Sequence, residues 1–137
     1  MNNTVTMRPY IKEDYDMICD WWAAHHRSIR PMHYLPKCGV ICEINSKPAS
    51  ALFLHMDNSC GMCMIDHAVS RPKLSLANSM LAFKHSISCL RKVSREFGYH
   101  SVWICTYPGI ARILARLGFY ELSRNQVAMV GSTEEDT

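Results

Sequence analysis

The stretch SRPKLSLANSMLAFKHSISCLRKVSREFG, residues 70–98, constrains the fold more than any other part of the chain. Leu76, Met80, Phe83, Ile87, Leu90, Val93 and Phe97 recur at steps of three and four, which is the apolar stripe of a long helix packed on one side. Ser75 supplies an N-cap oxygen, and Gly98 can take the left-handed turn that ends a helix. Before this helix, Ser70-Arg71-Pro72 closes an apolar segment. After it, SVWICTY (101–107) is short and apolar throughout, as a strand covered on both faces reads. A long helix is therefore delivered between two strands.

The remaining segments extend this alternation. Thr4 to Tyr10 predicts a first strand, ended by Pro9. KEDYDMICDWWAAHHR, residues 12–27, carries acids at its start and basic or titratable residues at its end, matching a helix dipole. Its Tyr15, Ile18, Trp21, Trp22 and His25 form one apolar face. The two prolines of SIRPMHYLPK (28–37) make a loop. GVICEINSKPASALFLHM (39–56) resolves into two strands around a turn at Asn45 to Pro48, and CGMCMIDHAV (60–69) adds a third. Near the end, PGIARILARLGFYE (108–121) is a short helix stopped at Gly118, where a left-handed C-cap costs nothing for want of a Cβ. Residues 119–130 can supply a last hairpin, and GSTEEDT (131–137) reads as a flexible acidic tail. With no repeat and no linker, one domain over 1–130 is expected.

The order is strand, helix, three strands, helix, strand, helix, one or two strands: an α/β (α+β) class with a mixed, mostly antiparallel sheet flanked by helices. Together with the MRPY opening, DYDMICDWW, LPKCGVICE, AVSRP and PGIARILARLGFYE, this order resembles the GCN5-related N-acetyltransferase (GNAT) family over residues 4–130. The resemblance is to its small divergent members carried by phages and prophages. It implies an acyl-CoA N-acyltransferase fold in which acetyl-CoA donates an acyl group to an amine by direct attack. The pantetheine arm would lie like an extra strand between strands four and five, and the pyrophosphate at the start of the central helix.

Carried onto this chain, the resemblance implies cofactor contacts at Val69, Arg71, Lys73, Ser75, Ala77 and Asn78, a helix start that favours an anion. The turn departs from the family by holding no glycine between residues 70 and 81. For the base, the resemblance points to Asp66; adjacent His67 titrates in the useful range. Strict strand alternation would send these two to opposite faces. The tyrosine that protonates the departing thiolate in many members is Leu114 here, which has no proton to give. Tyr107, Tyr120 and Cys105 are the substitute donors, and a thiol of ordinary pKa near 8.5 leaves readily without one. His25-His26 after Trp21-Trp22 could line an acceptor pocket. The rival reading is a chain that has lost catalysis and binds a host protein or the virion.

A net charge of +3 lacks the dense basic stripe of a nucleic-acid binder. No apolar run reaches the ~18 residues of a membrane span, and MNNTVTMRPY has no signal-peptide pattern, so the expected location is the cytoplasm. Seven cysteines, an odd number, fit free thiols in a reducing compartment. Cys60-Gly-Met-Cys63 invites zinc or redox chemistry, but it has no second CxxC, and His55 and His67 stand at the wrong spacing, so no metal is expected. A free last strand would allow a homodimer.

Overall fold

The computed structural model describes residues 3–134, which fall into two compact units dividing between Cys105 and Thr106. The first unit contains β1 (Val5–Pro9), α1 (Tyr15–Ala24), β2 (Gly39–Ile44), β3 (Lys47–His55), β4 (Met62–Ser70), α2 (Leu76–Glu96) and β5 (Ser101–Ile104), with 3-10 turns at Lys12–Asp14 and Met32–Tyr34. The second contains α3 (Pro108–Arg116). One sheet runs β1-β2-β3-β4-β5, antiparallel except for the last pair. Hairpin turns join β2, β3 and β4, whereas α2 carries the chain across so that β5 can lie parallel to β4.

The two helices cover opposite faces of this sheet. Ile18, Trp21 and Trp22 of α1 pack with Ile41, Ala51, Phe53 and Val69, while Ala82 of α2 packs with Cys42, Ile44 and Ala49. Burial on both faces explains why β2 is apolar without alternation from Gly39 to Cys42. Trp22 and Phe53 are fully buried and anchor the α1 side. The thiols of Cys38, Cys42 and Cys89 are pushed up by burial, and Cys63 donates to Ser94 Oγ at 3.3 Å, so these sulfurs act as small core groups.

All three helices end in the same device. After α2, the N–H of Tyr99 bonds the carbonyl of Ser94 and that of Gly98 bonds Arg95, both at 3.0 Å. After α3, Phe119 reaches Leu114 at 3.0 Å and Gly118 reaches Ala115 at 3.2 Å. These are Schellman caps with glycine at φ +86° and +93°. α1 closes identically, Arg27 to Trp22 and His26 to Ala23, but the left-handed residue is His26 at φ 56°. A side chain there is strained by its Cβ. His26→Gly is expected to raise stability by ~0.5 kcal/mol, the strain relieved less the entropy of glycine. Thermal unfolding would show this as a rise of about 2 °C.

An ion pair locks the chain's entry to α1. Arg8 on β1 grips both oxygens of Asp14 at 2.9 Å and reaches Glu43 at 3.4 Å, and Asp14 also accepts the N–H of Ile11 at 3.0 Å. The Arg8 guanidinium holds the Asp14 carboxyl below its ordinary 3.8. A carboxyl depressed on folding contributes stability that is present above its unfolded value and lost as pH falls below it. Asp14→Asn should therefore lose ~2 kcal/mol near neutrality and show a flatter decline below pH ~4. Urea unfolding across pH 2–7 measures both.

Residues 119–134 form neither helix nor strand, so the expected last hairpin is absent from the structure. The local signals present are Asn125 at φ 58° and an ion pair of Arg124 with Glu121. A two-stranded hairpin has too little apolar surface to stand alone, and these bonds do not supply a third strand.

Candidate active site

β4 and β5 stay together only briefly. Their register covers Met62 with Ser101 through Ile65 with Ile104, while β4 runs on to Ser70. Beyond Ile65 no strand among the described residues lies on that side of β4. The Arg71 N–H donates to Ala49 at 2.8 Å, so alternation turns the backbone of Val69 toward β3 and that of Ser70 toward the open side. Two side chains after α1 reach this edge: His25 Nε2 donates to the Ser70 carbonyl at 2.8 Å, and Arg27 donates to that of Ala68 at 3.4 Å. Val69, expected as a cofactor contact, has its side chain in the core. His25 and His26 part company, one on this edge and the other forming the α1 cap.

The edge opens where β4 bulges. Ala51 pairs with Val69 and Phe53 with Asp66, so two steps on β3 match three on β4. His67 absorbs the extra residue at φ 61°. The Asp66 carboxylate accepts the N–H of His67 at 2.6 Å, which holds this strained turn. The bulge also corrects the expected alternation. Asp66 stands opposite Phe53, and the His67 ring meets Phe53 edge-on at 6.2 Å, so both residues lie on the α1 face.

His67 does not stand alone. Its Nε2 lies 2.9 Å from Nε2 of His55, while its Nδ1 is buried with no partner. Burial pushes both imidazoles below the ordinary 6.5. For His67, Asp66 opposes this push, and His55 and Arg30 add to it. Arg30 is held with its guanidinium 5.5 Å from the Trp22 ring and one nitrogen on the Ser28 carbonyl. The site thus keeps a neutral imidazole, with a lone pair or an N–H unspent, on the face lined by Trp22 and Phe53. In the sequence His55 stands only as a candidate zinc ligand, and Arg30 carries no signal of a site role. The signal available for His55 was its place two residues beyond Phe53, on the same strand face.

The turn before α2 is made without glycine. Lys73 itself takes the left-handed conformation at φ 65°. Ser75 Oγ accepts the N–H of Asn78 at 3.1 Å, leaving the amides of Leu76 and Ala77 at the open end of a 21-residue helix. Asn78 Oδ1 accepts from Asn3 at 2.9 Å, and Arg71 donates to the Pro48 carbonyl at 2.8 Å, so these two side chains are committed to the fold. Lys73, Ser75 and Ala77 are exposed.

In the second unit, Tyr107 is the N-cap residue of α3, and Tyr120 follows the cap made by Gly118. Leu114 uses its carbonyl for that cap. Cys60 is exposed and Cys63 buried, so the two thiols of the CxxC stand in different surroundings. Among the described residues no three His, Cys, Asp or Glu side chains form a group able to hold a metal ion, and no helix is long and apolar enough to cross a membrane.

No protein-family model and no curated protein sequence matches the chain. Solved structures do. The ribosomal-protein-S18-alanine N-acetyltransferase of Escherichia coli is similar over 88% of this chain and 80% of its own, at 12% identity and a TM-score of 0.71. An acetyltransferase of Trypanosoma brucei matches over 93% of this chain and 100% of its own, at 15% identity and a TM-score of 0.66. An aminoglycoside N-acetyltransferase solved in complex with CoA matches over 95% and 97%, at 11% identity and a TM-score of 0.63. At these identities the likeness is one of fold. The chain has the GCN5-related N-acetyltransferase fold.

Proposed function

We propose that the protein is an acyl-CoA-dependent N-acetyltransferase that transfers an acetyl group to a primary amine by direct attack. The observation that carries this reading is the edge of β4 beyond Ile65, left open by β5 and bulged at His67, beside the capped start of α2. A linear ligand bearing amides can pair with such an edge as a strand would. The backbone of Ala68 and Ser70 would receive the pantetheine amides, with His25 and Arg27 giving way. The amides of Leu76 and Ala77, with Lys73, would receive the pyrophosphate. The structural neighbours solved with CoA support this assignment.

His67 fits the base better than Asp66, because the Asp66 carboxylate is already engaged by a backbone N–H while Nδ1 of His67 is unspent. A neutral imidazole can take the ammonium proton and free the amine to attack. The new C–N bond forms as the C–S bond breaks. The thiolate is then protonated by solvent, or by Cys105 of the same unit.

Isothermal titration of CoA and acetyl-CoA, with ADP as the control, tests the binding step. The expected result is a dissociation constant on the order of micromolar, ~8 kcal/mol of binding. Lys73→Glu should weaken it by about tenfold or more through charge reversal at the phosphate. No binding at millimolar CoA would overturn the reading and leave the fold as a scaffold for a protein partner.

A further inference from the structure

We infer that His55 and His67 form a two-imidazole proton relay in which His55, one strand away from the site, carries the accepted proton to solvent. This inference rests on the acetyltransferase reading for its substrate and on geometry for the relay itself. The Nε2–Nε2 separation of 2.9 Å requires that one ring donate and the other accept. With the hydrogen on Nε2 of His67, its buried Nδ1 is a bare acceptor, and the orphaned polar atom acquires a use. The opposite tautomer would bury an N–H with nothing to bond, which is the costlier arrangement.

Proton transfer through the pair balances. The substrate ammonium loses its proton to Nδ1 of His67, and the electron pair stays on the amine nitrogen. The hydrogen on Nε2 of His67 passes to Nε2 of His55, whose Nδ1 hydrogen leaves to water. One proton enters and one departs, so the pair never carries two charges. His55 is only partly buried, at the β3 end away from the core, where release to solvent is open.

The charged groups facing the pair are few. Asp66 on β4 favours a proton on either ring, and Arg30 beyond α1 disfavours one on His67. Two cations 2.9 Å apart would repel, so the rings titrate as a unit and share their first proton.

Long-range 1H–15N NMR of the histidine rings across pH 8 to 4.5 reads this without any activity. The expected result is one joint transition of His55 and His67, with the second proton taken up at distinctly lower pH. In His55→Gln, His67 should titrate alone with a changed midpoint. Two independent transitions in the wild type, or a His67 midpoint indifferent to residue 55, would overturn the shared proton. In acetyl transfer, His55→Gln should lower kcat about tenfold with the KM for acetyl-CoA unchanged and an altered acid limb in the pH profile. His55→Asn, shorter by one methylene, checks that the loss follows the imidazole and not one poorly folded variant. Full kcat in both variants beside a jointly titrating pair would overturn the relay. Absence of any transfer by the wild-type protein would sink the acetyltransferase reading instead, and the NMR result would still decide the pair.

Discussion

Gly39→Val is expected to cost about 3 kcal/mol of folding stability, at the upper end of ordinary overpacking. Gly39 sits on β2 directly opposite Phe53 of β3. A Cβ at residue 39 would stand 2.6 Å from Cδ1 and 2.8 Å from Cε1 of that ring, and 3.1 Å from Cβ of Tyr10. Phe53 cannot step aside cheaply: it is fully buried, with Tyr10 edge-on at 4.8 Å and His67 edge-on at 6.2 Å. Close packing passes the displacement on to these neighbours, so the ring pair at His55 and His67 should shift as well. Phe53→Leu in the same chain removes the clashing edge and should recover ~1–2 kcal/mol relative to the sum of the single changes. Urea unfolding of the four chains measures this coupling. Additive losses would mean that β2 moves away from β3 as a body and the ring is not the obstacle.

The same pair shows why part of the fold was legible in the sequence and part of the site was not. Helices announce themselves by period and punctuation. The stripe from Leu76 to Phe97 and the glycines at 98 and 118 are local signals, and the structure places both caps as expected. The third cap was invisible because His26, unlike a glycine, does not by itself mark a left-handed position such as φ 56°. Strand order followed from short turns, yet the bulge at His67 has no local signature. Nothing in MIDHAVS tells a regular strand from one with an extra residue, and that residue decides which faces Asp66 and His67 share. His55 lies twelve residues from His67, and only the β3–β4 register brings the rings together. The last segment, 119–130, has strand-like composition, but a strand needs a neighbour and the structure gives it none within its own unit.

His67→Asn should lower kcat for acetyl transfer by ~100-fold, about 2.7 kcal/mol of barrier, while the KM for acetyl-CoA stays within a factor of about two. Asparagine is the appropriate replacement because it tolerates the left-handed backbone at φ 61° better than most residues and so keeps the bulge. A loss of kcat alone then reports the proton acceptor and not the cofactor edge. The pH dependence supplies the independent check. Burial holds His67 below the ordinary 6.5, so its neutral, proton-accepting form persists as the solution becomes mildly acidic. The wild-type rate should therefore hold through pH 6.5 and fall only below it, and His67→Asn should lose that limb. The same shift has a stability sign. The unfolded chain binds the proton first, so stability is full above 6.5 and declines as pH falls toward the lower folded value. Replacing His67 should flatten this decline, a result visible in urea midpoints between pH 7 and 5 even if no acceptor amine has been found. His55, also held below 6.5 by burial, keeps part of the decline. If all of it survives the substitution while catalysis is lost, His55 is the buried proton site and His67 acts through its ring packing on Phe53.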